Sequence, residues 1–338
     1  HRVGFGNLYL SKILFIPLAA FKGIALHRKH HFDALWAMMT YMLWPLVFMR
    51  FLGTRIPHVL TLQDGDPYEK VFQRWFVAPF IPFLDYGFRS AALIQVISTY
   101  LGTWPKKRGY QGPIELIYNG ANPKSINPEY SQKDAEAIKK KLGKKPGDIY
   151  LMNAARLVHQ KGHDDVIRAL PLLPDNVHFI LIGAGEDETM LRKLASDLNV
   201  ESRVQFLGQI ERDDVPTYRN RTVVDIFVGP SRSEGLGNSF LSAMASYLPV
   251  VTTQEGGLAE YVFDAKRNPE KGTTAWAVDK DNPEHIAEAV RDIMAHPEKV
   301  KEVTERARTM VVEKYNWESV AKQMRERVFQ KVFEKKYV

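Results

Sequence analysis

Residues 226–260 read IFVGPSRSEGLGNSFLSAMASYLPVVTTQEGGLAE. Asp225 to Val228 has the apolar run of a buried strand, Gly229-Pro230 turns, and Ser231 to Asn238 is a polar Gly-rich loop. Ser239 to Tyr247 then reads as a helix and Pro249 to Thr253 as a second buried strand, closed by Gly256-Gly257. Strand, loop, helix and strand in that order form the unit of a parallel sheet. The loop at the strand's carboxyl end feeds the first turn of the helix, where unpaired N–H groups and the helix dipole favour an anion. Gly235 and Gly237 carry no side chain to hold a ligand off that backbone. Glu234 repels a phosphate but accepts hydrogen bonds from hydroxyls, so a molecule with both groups, such as a sugar phosphate, suits the loop. A Glu that stabilises the helix dipole is the alternative reading.

The order Ser-x-x-Glu-Gly-x-Gly-Asn from Ser231, Ala-Met-Ala from Ala243 and Gly-Gly-x-x-Glu from Gly256 resembles the carboxy-terminal half of retaining glycosyltransferases of family 4, the group 1 glycosyl transferases. That resemblance implies a GT-B architecture: an α/β chain of two doubly wound, Rossmann-like domains facing a cleft. It also implies a nucleotide-sugar donor held mainly by the second domain, at Gly235, Leu236, Gly237, Asn238, Ser242 and Gly208. The family has a second Glu, with seven residues between it and the first, that binds the donor ribose. Here that position is Ser242, which supplies a weaker hydrogen bond.

A chain of 338 residues suits two domains. With 45% hydrophobic and 25% charged residues it has a globular composition. The absence of cysteine excludes disulfides, thiolate zinc sites and a cysteine nucleophile, and fits a reducing compartment. The net charge of +7 is placed unevenly: His1 to Tyr130 holds 14 Lys+Arg against 7 Asp+Glu, together with 23 of the 38 aromatic residues. A basic, aromatic first domain points to an acidic partner surface. Without a nucleic-acid module, we expect anionic membrane rather than nucleic acid. The apolar run Ala34 to Met49 is 16 residues long and contains Pro45, too short to span a bilayer. It reads as a strand (Phe32 to Ala37) followed by a helix (Thr40 to Leu52). The expected location is cytoplasmic, peripheral at the inner membrane face.

The start, His1 to Gly6, reads as a strand end or loop entering a helix, Leu8 to Ala25. The strand and Gly-rich loop with which the family begins have no match, so the first domain looks truncated. His27 to His31 reads as a solvated basic loop, since its histidines lack a metal-site spacing. The short strand Pro57 to Leu62 ends in Gln63-Asp64-Gly65-Asp66, and loops at the carboxyl ends of parallel strands gather ligands. Gln63, where the family often has a sugar-contacting His, Asp64 and Asp66 are candidates for the acceptor or sugar side, with turn chemistry as the alternative. Glu69 to Phe88 is unusually aromatic, suited to core packing or to an acceptor or membrane surface. Strands follow at Leu93 to Ser98 and Ile114 to Tyr118, and residues 131–147 read as the linker between domain 1–130 and domain 148–315.

In the second domain, strand Ile149 to Ala154 leads into Arg156-Leu-Val-His-Gln-Lys161-Gly162, which resembles the family's diphosphate clamp: a forked and a point cation on one loop. Strands Val177 to Ile182 and Val204 to Leu207 come next, the latter ending at Gly208, where the family's backbone meets the base. UDP and GDP both remain open. The final helix, 316–335, is expected to return to the first domain. No Asp-x-Asp metal motif accompanies the donor loop, so we expect no metal and no cofactor. Arg156, Lys161 and the N–H groups of Gly237 and Asn238 would then stabilise the leaving diphosphate. By resemblance the activity is retaining, metal-independent hexosyl transfer to a saccharide or lipid-linked acceptor, with Glu234, Arg156 and Lys161 carrying it. A non-transferring sugar or nucleotide binder and a GT-B epimerase or phosphorylase are the alternatives.

Overall fold

A computed structural model describes residues 8–127 and 131–334. The chain divides into two compact units, His1–Tyr118 with Val320–Val338, and Asn119–Ser319. Each is built on its own parallel sheet.

The first sheet takes the order β1 (Leu35–Met38), β2 (His58–Leu62), β3 (Leu93–Val96), β4 (Ile114–Leu116). Every residue of β2 and β3 is buried, as befits parallel strands covered on both faces. Their mostly apolar residues do not alternate with exposed polar ones, and the polar members His58, Thr61 and Gln95 are themselves buried. Helices Leu43–Phe51 and Ile81–Arg89 pack on each other, and the chain's last helical run, from Trp317 to Glu334, brings Val320, Val328 and Val332 against Val59, Leu93 and Ile117. Arg327 and Lys331 of that run bind Glu115 at 2.7 and 2.6 Å. From Val320 onward the last helical run belongs to the first unit, whereas the sequence reading starts it at residue 316.

The first helix runs Leu8–His30, past the expected end at Ala25. The basic stretch from His27 is its last turn, not a loop: no Gly or Pro intervenes, and cations there complement the dipole's negative end. The expected entry at residues 1–6 lies outside the described residues. No helix among the described residues is long and apolar enough to cross a membrane. The run from Ala34 divides into β1, a 3-10 turn (Thr40–Met42) and the helix Leu43–Phe51.

The second sheet has the order β10-β9-β8-β5-β6-β7, where β5 is Ile149–Ala154, β6 Val177–Ile182, β7 Val204–Phe206, β8 Ile226–Gly229, β9 Val250–Thr252 and β10 Trp276–Ala277. All its pairings are parallel. From β5 the chain winds outward through β6 and β7, then returns to lay β8 on the other side of β5. The crevice between β5 and β8 is thus the topological switch point, where open α/β sheets take their ligands. Apolar faces of helices His163–Ala169, Glu188–Asp197 and Pro283–Ala295 cover one side, through Val166, Leu191 and Ile286.

The segment expected as a linker is instead part of this second unit. Helix Gln132–Leu142 starts at a capping box formed by Ser131 and Asp134 and ends at Gly143. The Leu142 carbonyl accepts from the Tyr150 hydroxyl (3.1 Å) and from Gln205 Nε2 (2.9 Å), and Lys144 pairs with Asp225 at 2.6 Å. Its polar composition reflects a solvated helix face, and the unit boundary falls earlier, after Tyr118.

Candidate functional site

Two loops meet at the switch point. After β5 the chain passes Arg156 and turns through His159–Lys161 to Gly162; after β8 it runs from Pro230 to Gly237. Hydrogen bonds join them: Arg232 N–H donates to Gln160 O and Gln160 Nε2 to Ser233 O, both at 2.8 Å. So fastened, Lys161 Nζ lies 2.6 Å from Glu234 Oε1, and the Ser231 hydroxyl donates to the same oxygen at 3.0 Å. Behind the pair, Arg232 binds Asp164, Asp165 and Asp281 at 2.6–2.9 Å. Burial, reinforced by Asp164, pushes the Asp165 carboxyl up to about 6. Arg156 is exposed, and its carbonyl accepts from His163 Nε2 at 3.1 Å. Burial lowers His163 to about 4, so the ring is neutral at pH 7 and donates that bond.

Helix Asn238–Ala245 begins beside Glu234, and Gly237 caps it at φ 83°, a left-handed conformation that favours glycine. The Tyr261 hydroxyl donates to the carbonyls of Leu236 and Gly237, fixing the loop. Ser242, one turn on, accepts the Asn122 N–H at 3.0 Å and donates to Asn238 O at 2.9 Å. Its hydroxyl therefore ties the 120–122 turn to the helix.

A cavity of about 670 Å³ opens at the carboxyl ends of β5 and β6 and against this helix, lined by Ala155, Gly183, Gln209, Arg219, Asn238 and Ser242 among others. Gly183 has φ 137°, and a Cβ there would strike the Ala155 carbonyl, so close approach of the β5 and β6 loops forms the cavity floor. Gly208 stands at its edge and accepts the Gly183 N–H at 2.8 Å.

Of the residues expected from sequence, Lys161, Glu234, Gly235, Leu236, Gly237, Asn238 and Ser242 lie on the loops and helix at the switch point, and Gly208 is bonded to Gly183 at the cavity floor. In the first unit, both oxygens of the buried Asp64 accept the Thr40 N–H, at 3.1 and 3.3 Å, and cap the turn after β1. Asp66 pairs with Lys70 at 2.8 Å, and Gln63 is half-buried. Several lining residues escaped the sequence reading, Asn122 and Arg219 among them. Arg219 lies in the stretch before β8, where a single Arg carries no motif.

The family model described as glycosyl transferases group 1 matches residues 134–310, just over half of the chain. The chain belongs to the group 1 glycosyltransferases. An uncharacterized glycosyltransferase of Methanocaldococcus jannaschii is 30% identical over 213 residues, 62% of this chain and 52% of the relative. A GDP-mannose-dependent alpha-(1-6)-phosphatidylinositol monomannoside mannosyltransferase of Mycobacterium tuberculosis is 26% identical over 240 residues, 67% of this chain and 59% of the relative. The chain thus spans little more than half the length of these two relatives. Among solved structures, Anabaena HepE (22% identity, TM-score 0.79) covers 94% of this chain and 83% of its own. Sucrose-phosphate synthase of Thermosynechococcus elongatus (21%, TM-score 0.79) covers 94% and 78%. The fold is the GT-B fold expected from the sequence.

Proposed function

We propose that this group 1 chain carries the donor-binding and transfer machinery of a retaining hexosyltransferase, moving a sugar from a UDP- or GDP-sugar to a saccharide or lipid-linked acceptor. The observation that carries this reading is the Lys161–Glu234 pair at the switch point, beside the start of helix Asn238–Ala245. A donor offers each partner what it needs: diphosphate oxygens for Lys161 and sugar hydroxyls for Glu234. Arg156, Lys161 and the N–H groups at Gly237 and Asn238 stabilise the diphosphate as it leaves, without metal or cofactor. Gly235, Leu236 and Gly208 line the donor by backbone, and Ser242 borders its ribose. The acceptor hydroxyl forms its bond to the anomeric carbon on the face from which the diphosphate departs, and the diphosphate oxygen takes its proton. No protein nucleophile is needed.

The named relatives support this class. HepE structures are described with UDP, with UDP and glucose and with UDP-glucose, and the mycobacterial relative's name specifies GDP-mannose and a phosphatidylinositol glycolipid. The first unit, with Gln63, Asp64 and Asp66 after β2, would hold the acceptor, and its exposed aromatics would rest on an anionic membrane. The internal use of the Ser242 hydroxyl favours one second reading, a nucleotide binder without turnover.

Calorimetry with UDP, GDP and their sugar conjugates tests the reading. Binding of one nucleotide, weakened by Lys161→Ala, with Glu234→Ala weakening only the sugar conjugate, supports it. Absence of binding to every nucleotide overturns it, and binding without transfer to any acceptor moves the second reading ahead.

A further inference from the structure

Arg219 is only 6% exposed and lines the 670 Å³ cavity, yet no hydrogen bond or ion pair joins its side chain to a described residue. Its neighbour is an aromatic face, with the guanidinium carbon 5.9 Å from the centre of the Phe227 ring. A buried cation compensated by one ring at that distance is costly, because desolvation removes water without supplying acceptors. In the lining of the same cavity the buried Oδ1 of Asn238 also lacks a partner among the described residues. Elsewhere in the second unit the buried Arg203 has the carbonyls of Val177 and Pro174 at 2.9 Å, and the half-buried Arg232 has three carboxylates. Arg219 stands apart from that pattern, and it does so where a ligand can reach it.

We propose that Arg219 is a phosphate-binding residue of this cavity, receiving the diphosphate of a nucleoside diphosphate or nucleotide sugar. This rests on the reading of the cavity as a donor site and adds a residue to it. The charge inventory favours a phosphate over a neutral ligand. Lys161 is already engaged by Glu234, and Arg156 is exposed, as are the two other charged lining residues, Arg212 and Glu211, which are of opposite sign. The cation inside the cavity that lacks an anion is Arg219. Where the resemblance places a second carboxylate, this chain has Ser242 on the same cavity. The cavity therefore holds its guanidinium without that negative charge, and an anionic ligand gains accordingly. Burial also lowers the Arg219 pKa to about 10, consistent with a charge held ready against a desolvation cost.

The experiment compares the unmodified chain with Arg219→Met and Arg219→Lys, titrating UDP, GDP, their monophosphates and nucleosides, and inorganic pyrophosphate, and recording thermal unfolding without ligand. Arg219→Met is expected to weaken the diphosphate that binds by roughly 10- to 100-fold, the worth of charge-assisted hydrogen bonds, while changing the nucleoside little. Arg219→Lys should recover part of that loss. Unfolding should shift upward in Arg219→Met, since an unpaired buried charge has gone. A variant that fails to fold or melts lower, or that loses nucleoside and diphosphate equally, overturns the proposal in favour of a structural or nucleoside-contacting role. Diphosphate binding unchanged by Arg219→Met overturns it and leaves the donor-site reading standing. Failure of the unmodified chain to bind any nucleotide or pyrophosphate sinks both.

Discussion

Lys161 Nζ stands 2.6 Å from Glu234 Oε1, with 14% and 8% of the two side chains exposed. The two residues lie on loops from different strands, β5 and β8, on either side of the sheet's reversal of winding. Their pairing joins the loops electrostatically at the point where a parallel sheet takes its ligand. On the proposed reading it is an exchangeable contact, a diphosphate taking the place of the carboxylate at Lys161 and hydroxyls that of the ammonium at Glu234.

Removing one partner should therefore hurt more than removing both. Lys161→Ala leaves a nearly buried carboxylate with only the Ser231 hydroxyl, and should destabilise the second unit by about 3 kcal/mol. Lys161→Met combined with Glu234→Gln should cost about 1 kcal/mol, because no lone charge remains. Urea denaturation of the single and double variants decides this. Equal midpoints for Lys161→Ala and the unmodified chain would show that the pair is solvated and carries no such weight.

Ser242→Ala separates a structural from a ligand-binding hydroxyl. The hydroxyl accepts from Asn122 N–H and donates to Asn238 O, so its loss should lower stability by about 1 kcal/mol. Nucleotide affinity should change less than about threefold, well under the loss of a charge-assisted bond. A large loss of affinity without loss of stability would instead assign Ser242 directly to the ribose.

The second sheet was legible because its strands are continuous apolar runs punctuated by glycine. β5 and β6 fall where those runs predict them, and β8 and its helix lie within a residue or two of the expected ends. The helix through His30 was harder to place, because charge patterning marks a solvated surface without stating whether that surface is helix or loop; the charge of residues 131–147 likewise left open to which unit they belong. At the site, the Glu234 loop could be read from its residue order, whereas its pairing with Lys161 depends on how the winding places β8 beside β5. Arg219 was invisible for a different reason: nothing in its neighbours distinguishes a buried guanidinium from an exposed one.

Asp64 gives a pH prediction with a definite sign. Burial, opposed by the Thr40 N–H and aided by Asp66, raises its carboxyl to about 6. Between about pH 4 and pH 6 the folded chain holds a proton at Asp64 that the unfolded chain has released, so this residue's contribution to stability falls as pH rises through that window. The stake is on the order of 3 kcal/mol, and above pH 6 it is a full penalty. Asp64→Asn keeps an acceptor for the Thr40 N–H without the charge. It should be as stable as the unmodified chain at pH 4.5 and more stable at pH 7, as read by urea midpoints at both values. An Asn variant that is less stable at pH 7 would refute the raised carboxyl.

The aromatic side chains of the first unit differ widely in exposure. Phe72 and Phe88 are buried, while Trp75 is 85% exposed and Phe51 64%, with Phe80 and Tyr86 also exposed. Phe51 stacks on Phe83 at 4.7 Å and lies 5.9 Å from Tyr86, and Arg50 and Arg74 stand within 6.0 Å of the Tyr86 and Phe76 rings. Aromatic rings interleaved with arginine match an anionic bilayer surface, where rings enter the headgroup region and guanidinium groups meet phosphates. Binding to vesicles containing anionic phospholipid should be measurable by co-sedimentation and should weaken as salt rises. Trp75→Ser should reduce it roughly tenfold, the value of one inserted aromatic side chain, without moving the unfolding midpoint, because an 85% exposed ring supports little of the fold. Binding that ignores both salt and Trp75 would place any membrane contact elsewhere on the chain. A drop in stability in the same variant would mean that Trp75 packs within the unit instead.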